Sequence, residues 1–191
     1  MHRPLLLTYS AIVLIALTTS SSHGQKPLQL PVPDGWRVEN TSYPPPWART
    51  LPWKGTLQLR FPKGFFDAKS DFFWSYPILY QLKGDVIKTD EELQRALLEY
   101  DAGLYGGRYP KNKITMDVVK NPKPSKAPLI IVDGYDPFTT KMPLRTWIQF
   151  HRRYDKQNDL TIILLLRSAQ SYSLENPVWQ ELQSFRKSVG F

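Results

Sequence analysis

The side chain best suited to acid–base chemistry in this sequence is His151, because an imidazole changes its charge close to neutral pH. In a serine-type hydrolase it would be the base that activates Ser168 or Ser171. Asp133 or Asp136 would then orient the imidazole. Neither serine lies in the Gly-x-Ser-x-Gly pattern of a nucleophile elbow. We therefore favour His151 as a half-exposed strand residue without a catalytic role, and the hydrolase stays an alternative.

Metal chemistry has few candidate ligands in this chain. The sequence contains no cysteine, and two of its three histidines lie near the amino terminus, so His151 has no Cys or His partner for a zinc site. The segment Asp133-Gly134-Tyr135-Asp136 places two carboxylates beside a glycine but lacks the further acidic ligands of a calcium loop. We interpret this segment as a turn, and we expect neither a metal nor another cofactor.

Ligand binding by stacking and charge is a second kind of chemistry that the residues around His151 indicate. If Tyr154 pairs with Leu160 across a five-residue loop, a predicted hairpin brings an aromatic and basic set to one face. Such a surface would suit an anionic or glycan-like ligand. Because Ile163 and Leu165 share this face, we favour the alternative that it is buried. The candidate ligand-binding residues are Trp147, Gln149, His151, Arg153 and Arg167.

The first 24 residues have the pattern of a secretory signal peptide. The basic residue Arg3 precedes a mostly apolar run from Leu5 to Leu17, and small residues end at Gly24, before the expected cleavage site. The run is about 13 residues long, shorter than the roughly 20 that a membrane-spanning helix needs. An uncleaved anchor is the alternative. After cleavage we expect no stable membrane span.

The net charge of the chain is strongly positive, at +8 for the whole sequence, and it is +7 once Arg3 has left with the signal. An exported chain of this charge meets anionic envelope polymers or lipid head groups, whereas a cytosolic one would suggest nucleic acid. A solvated surface that maintains solubility is the simpler explanation. The absence of cysteine favours a bacterial periplasmic or extracellular location. We expect a monomer that binds no nucleic acid.

The remaining chain predicts a short linker and one domain. Residues 25–34 are polar and proline-spaced, which favours a flexible linker, and 35–191 are long enough for a single core. Alternating apolar residues predict strands at 56–61 and 72–82. Strand-like segments between turn signals predict further strands at 35–38, 113–119, 129–132, 145–154 and 160–167. One helix is predicted from the capping box Thr89-Asp90-Glu91-Glu92 to Gly106, and a second from Asn176-Pro177 to Gly190.

Two aromatic segments give further expectations. The stretch 72–82 is predicted as a long strand, and Pro77 places it at a sheet edge or a bulge. The proline-rich segment 40–53 cannot sit inside a sheet and predicts a semi-rigid loop. Its residues Trp47 and Trp53 could dock a partner, but we favour their packing against the core.

The predicted order is three strands, a helix, four strands and a helix. Hairpin-linked strands with segregated helices predict an α+β fold, in which an antiparallel sheet of about six to seven strands is packed by two main helices. The hairpin closing on Leu160-Thr161-Ile162, with a terminal helix containing Leu182-Gln183-Ser184-Phe185, resembles the end of Mog1/PsbP-like domains. This resemblance covers mainly 145–191. It implies an antiparallel sheet between helices and an accessory or binding role.

The sequence as a whole favours a non-enzymatic exported domain that binds an envelope component or a partner protein. The signal, the basic charge and the lack of a catalytic constellation lead to this prediction. Two alternatives stay open, namely the hydrolase based on His151 and a carrier of an apolar ligand. The carrier would need a cavity of at least about 300 Å³ lined by the aromatic residues of 72–82.

Overall fold

The computed structural model describes residues 28–119 and 127–191, and it contains one seven-stranded sheet. The strands are β1 (Arg37–Tyr43), β2 (Gly55–Phe61), β3 (Tyr76–Lys83), β4 (Thr115–Val119), β5 (Leu129–Tyr135), β6 (Pro143–Asp155) and β7 (Leu160–Ser168). The helices are α1 (Asp90–Tyr105) and α2 (Pro177–Ser188), with a short 3-10 helix at Lys111–Lys113. The spatial order is β1-β2-β3-β7-β6-β5-β4, and all neighbours are antiparallel. The predicted α+β fold and element order are confirmed.

Both helices begin at the predicted caps. Thr89 Oγ1 accepts a hydrogen bond from the Glu92 amide at 3.2 Å, and the Glu92 carboxylate accepts one from the Thr89 amide at 3.3 Å. Gly106 ends α1 in a left-handed conformation, with φ at 59°. In α2, Asn176 Oδ1 accepts from the Val178 amide at 2.8 Å, and Pro177 takes the first helical position. These caps satisfy amide donors that the helices leave free.

The sheet lies between two apolar layers, each completed by one helix. On one face, α1 contributes Leu97 and Tyr100 to a core that includes Leu165 of β7. On the other face, α2 contributes Leu182 to a core that includes Leu164. Because successive strand residues point to opposite faces, Leu164 and Leu165 are both fully buried, in different cores.

The aromatic strand β3 occupies a central position, which corrects the expectation drawn from Pro77. The strand begins at Tyr76 and lies between β2 and β7, while 72–75 belong to the preceding loop. Pro77 pairs with Leu166 of β7, but the ladder with β2 ends one residue later, at Ile78. A proline is tolerated there because one side of the strand has no partner at that position.

The hairpin between β6 and β7 has a register that differs by one residue from the predicted one. Leu160 pairs with Asp155, not with Tyr154, and the loop has four residues. Asp155 supports this turn, since its carboxylate accepts hydrogen bonds from the amides of Gln157 and Asn158 at 3.0 and 3.2 Å. A shift of one residue exchanges the two faces of a strand relative to its neighbour. The predicted grouping of side chains across this hairpin is therefore wrong.

Part of the predicted flexible linker packs against the sheet. The Leu30 amide donates to Gln58 Oε1 at 2.9 Å, and Gln58 Nε2 donates to the Leu28 carbonyl at 2.9 Å. Arg60 is buried on the same face and donates from Nη2 to the Leu30 carbonyl at 3.0 Å. Residues 28–31 thus cover a polar part of β2 and belong to the domain.

The strand β1 also extends four residues into the predicted loop 40–53.

The predicted signal peptide, 1–24, lies outside the described residues, as do 25–27 of the predicted linker. In the part of the chain that the structure describes, none of the helices combines the length and hydropathy required to cross a membrane.

Candidate functional site

The residues of the hydrolase alternative lie apart from one another. Ser168 is fully buried, and its Oγ lies 2.7 Å from Ser75 Oγ. His151 pairs with Leu164, four residues along β7 from Ser168, which corresponds to about 13 Å at the usual rise of a strand. The Nε2 atom of His151 is buried and has no hydrogen-bond partner among the described residues. No serine is therefore held by this imidazole nitrogen as a nucleophile would be.

The two candidate orienting carboxylates have other partners. Asp133 accepts from Arg145 Nε and Nη2 at 2.6 and 2.8 Å, and this hydrogen-bonded guanidinium lowers the pKa of Asp133. Asp136 caps the loop 136–142, but Asp133, Gly134 and Tyr135 lie in β5, so the interpretation of the segment 133–136 as a turn is wrong. Within the described ranges, no group of three or more His, Asp or Glu side chains could hold a metal ion.

His151 is a packing residue in a basic environment. Its ring lies 5.5 Å from the ring of Phe191, measured between centroids. Burial lowers the pKa of His151 to about 4, with a further contribution from the positive charge of Arg186. The imidazole is thus neutral at physiological pH.

The chain itself covers four of the five candidate ligand-binding residues. Gln149 is buried, donates from Nε2 to Tyr172 Oη at 3.2 Å and accepts from Gln183 of α2. Arg153 donates to the Gly190 carbonyl at 2.7 Å, and its guanidinium lies 4.6 Å from the centroid of the Phe191 ring. Trp147 packs against the core of α2. We call the following residues the covered patch: Trp147, Gln149, His151 and Arg153.

Arg167, the fifth candidate, lies on the opposite face of the sheet. In the observed register Arg167 pairs with Ile148, and its side chain therefore lies on the face of the sheet opposite to the covered patch. Its Nη1 and Nη2 atoms donate to the two carboxylate oxygens of Asp101 at 2.7 and 2.9 Å, and both side chains are essentially inaccessible, at 1% and 0%. Burial alone lowers the pKa of Arg167, but the negative charge of Asp101 outweighs it and the pKa is raised. Arg167 therefore forms a buried ion pair under α1.

The carrier alternative needs a large internal cavity, whereas the enclosed space that the structure shows beside the aromatic strand is small. The enclosed space beside Tyr80, Ile87 and Leu97 has a volume of about 10 Å³. This is far below the volume of a small-molecule site. The rings of β3 pack instead against rings of the neighbouring chain segments, as in the edge-to-face contact of Tyr80 with Tyr43 of β1 at 5.4 Å and the contact of Tyr76 with Phe61 of β2 at 5.4 Å.

The exposed aromatic residues lie in loops at one end of the sheet. The loop 62–75 joins β2 to β3 and the loop 136–142 joins β5 to β6, so antiparallel topology brings both to the same end. Phe66 is 46% exposed, Phe138 is 43% exposed and Met142 is 60% exposed. The two phenyl rings meet edge to face, with centroids 5.7 Å apart. We call these three residues the aromatic tip.

A buried carboxylate, that of Asp136, holds the aromatic tip in place. It accepts hydrogen bonds from Trp74 Nε1 at 3.0 Å, from the Phe138 amide at 2.9 Å and from Thr140 Oγ1 at 2.8 Å. Burial alone raises the pKa of Asp136, but these hydrogen bonds outweigh it and the pKa is lowered. The indole of Trp74 also stacks on Phe138, with centroids 5.7 Å apart. The carboxylate thereby joins the two loops.

The backbone of these loops includes unfavourable conformations. Trp74 and Lys141 have positive φ angles of 51° and 57°, which cost a residue with a side chain of order 1 kcal/mol or more. Gly64 has φ of 94°, and a Cβ there would lie 2.2 Å from Ser70 Oγ, so this position requires glycine. Such strain persists only where surrounding contacts determine the conformation. The aromatic tip is thus preorganised.

A groove with a charged lining lies beside the aromatic tip. It has a volume of about 440 Å³ and is lined by Phe61, Phe65 and Phe66, together with the basic residues Arg37 and Lys63 and the acidic residue Asp67. Several exposed cations at this end of the sheet make no ion pair with a described residue, namely Arg37, Lys63, Lys69, Arg108, Lys113 and Lys141. The exposed acids at this end are Asp34, Asp67, Asp71 and Glu175. Cations therefore exceed acids around the aromatic tip.

Sequence reasoning did not identify the aromatic tip. The available signal was the position of the phenylalanines among turn-forming residues, in Pro62-Lys63-Gly64-Phe65-Phe66-Asp67 and Asp136-Pro137-Phe138. Turn-forming residues lie mostly at the surface. A single exposed phenylalanine there does not indicate a binding site, and the patch that would indicate one is formed only when the two loops meet.

No protein-family model matches this chain, and comparison with curated proteins and with solved structures gives no match.

Proposed function

We propose that this protein is a non-enzymatic, exported binding domain that attaches to an envelope component or a partner protein through the aromatic tip. The observation that carries this proposal is the pair of exposed, contacting rings of Phe66 and Phe138, held by the buried carboxylate of Asp136. Exposed apolar patches mark interaction sites in soluble proteins.

The arrangement of the remaining polar residues favours binding over catalysis. His151 has a lowered pKa and an unpartnered nitrogen, but it lies beneath Phe191 and far along the sheet from Ser168. Arg167 is neutralised by Asp101. A catalytic site would instead gather a nucleophile, a base and an orienting group within hydrogen-bond reach of each other.

Export is part of the proposal and rests on the sequence of 1–24. A periplasmic or extracellular monomer with net positive charge would reach anionic envelope components readily. The resemblance to Mog1/PsbP-like domains, with their accessory roles, agrees with a binding function.

Co-sedimentation with isolated cell envelopes tests the proposal. We expect the full chain to bind, and the double variant Phe66→Ser/Phe138→Ser to need about tenfold more envelope for half-maximal binding, because two partly exposed rings lose their contacts. Val119→Ser is the matched control, since Val119 is 41% exposed at the far end of β4. Equal binding of the double variant and the control would contradict the proposal. So would ester or glycoside hydrolysis that His151→Gln abolishes.

A further inference from the structure

Several backbone polar groups of the aromatic tip find partners within the chain. The amides of Phe138, Thr139 and Thr140 donate to the Asp136 carboxylate. The carbonyl of Phe138 accepts from Lys141 Nζ at 2.8 Å, and the carbonyl of Pro137 accepts from the same ammonium group.

The loop 62–75 also contains backbone groups that are paired within the chain. Thr139 Oγ1 donates to the Phe66 carbonyl at 3.0 Å, and the Asp67 amide donates to the Gly64 carbonyl at 2.9 Å. A loop that enters an apolar medium must pair its amides and carbonyls internally, since each unpaired group costs several kcal/mol there. A protein partner places no such demand, because it can supply the missing donors and acceptors itself.

The surroundings of the aromatic tip have the composition of a membrane interface. Tyr109 and Tyr135 stack at the same end of the sheet, with centroids 5.5 Å apart and an angle of 14° between the rings. Tyrosine is favoured at the level of lipid head groups, where one end of the ring is apolar and the other is wet. In the loop 62–75, the exposed Lys63 and Lys69 lie on either side of Phe66 in the sequence, together with the exposed carboxylates of Asp67 and Asp71, and their ammonium groups can reach lipid phosphates.

We propose that the aromatic tip inserts into the surface of an anionic lipid bilayer. Phe66, Phe138 and Met142 enter the boundary between head groups and acyl chains, and the surrounding lysines contact the phosphates. This proposal rests on the proposed binding function and names its ligand. The domain would bind at the membrane surface through these loops and would not span the bilayer.

Fluorescence at single introduced cysteines tests the insertion directly, because the chain has no cysteine of its own. The full chain carrying Met142→Cys is labelled with an environment-sensitive fluorophore and mixed with vesicles of phosphatidylcholine and phosphatidylglycerol in equal parts. We expect a blue shift at this position and none at Val119→Cys, which lies at the opposite end of β4. A label at position 142 reports on the surroundings of the aromatic tip, whether or not residues 1–24 also bind the vesicles.

Variants separate the apolar from the electrostatic contribution. In the Met142→Cys background, Phe66→Ser/Phe138→Ser is expected to raise the lipid concentration for half-maximal shift about tenfold or more. Lys63→Gln should raise it about fivefold, whereas Lys156→Gln in the distant hairpin loop should leave it unchanged. Vesicles of phosphatidylcholine alone should give a much weaker shift.

Three outcomes would overturn the lipid proposal. They are an absent shift at 142, an equal shift at 119, and equal binding to vesicles with and without phosphatidylglycerol.

An experiment with protease-treated envelopes distinguishes failure of the lipid proposal from failure of the proposed binding function. If treatment abolishes binding that still depends on Phe66 and Phe138, the ligand is a protein and the proposed function survives without the lipid. If the phenylalanine variants change nothing on untreated envelopes either, both proposals fail.

Discussion

The covered patch and the aromatic tip both contain large aromatic side chains but differ in what lies over them. In the covered patch, Arg153 lies over Phe191, and Gln149 bonds to Gln183 of α2, so the chain supplies its own partners. At the aromatic tip, Phe66 and Phe138 are held from below by Asp136, and their outer surfaces remain exposed. The comparison teaches that residue type alone does not identify a binding surface. What decides is whether another element of the same chain packs against it.

The comparison predicts that substitutions beneath the helices reduce stability, whereas those at the aromatic tip leave it nearly unchanged. The largest effect is expected from Asp101→Asn, because it leaves the buried guanidinium of Arg167 without a balancing charge. We expect the free energy of unfolding to fall by about 3 to 5 kcal/mol. Urea denaturation followed by circular dichroism measures this change.

A double variant provides the control for that measurement. In Asp101→Asn/Arg167→Met, both charges are removed and an apolar side chain of similar length fills the space, so most of the lost stability should return. If Asp101→Asn alone costs less than about 1 kcal/mol, the ion pair is not the buried interaction described.

The covered patch gives a smaller, pH-dependent effect through His151. Its pKa in the folded protein is about 4, below the ordinary value of 6.5, so the unfolded chain binds more protons between these values. Stability due to neutral His151 is complete above about pH 6.5 and is lost as the pH falls towards 4. We expect a loss of about 1 to 2 kcal/mol, since water screens a partly buried charge.

His151→Gln isolates this contribution, because carboxylates titrating in the same range are common to both proteins. The difference in unfolding free energy between wild type and His151→Gln should change with pH in this window and be constant above about pH 7. A difference that is flat from pH 7 to pH 4 would show that the imidazole is as exposed as in the unfolded chain.

The smallest effect on stability is expected at the aromatic tip itself. Phe66→Ser removes a ring that is nearly half exposed, so the free energy of unfolding should change by less than about 1 kcal/mol. Thermal unfolding, compared with Val119→Ser, checks this expectation. A loss of several kcal/mol would mean that Phe66 is a core residue in solution, and the comparison with the covered patch would no longer hold.

The elements of the fold were largely predictable from sequence because their signals are local. The capping box at Thr89 and the pair Asn176-Pro177 each act within a few residues, and the structure confirms both caps. The apolar run over 160–167 likewise predicts β7 within one residue of its observed end. The expectation that Pro77 places its strand at a sheet edge was wrong. A proline is tolerated in the central strand β3 because the ladder with β2 ends at Ile78, one residue after Pro77.

The sequence by itself determined the α+β class, the order of the elements and the ends of both helices, since hydrophobic periodicity and capping are short-range properties. Only the tertiary structure decided the register of β6 against β7, because the register depends on which face of each strand packs in the core of α1 and which in the core of α2. That register sends Arg167 to the buried ion pair under α1. The exposure of Phe66 was decided in the same way, because burial depends on contacts between segments distant in the chain.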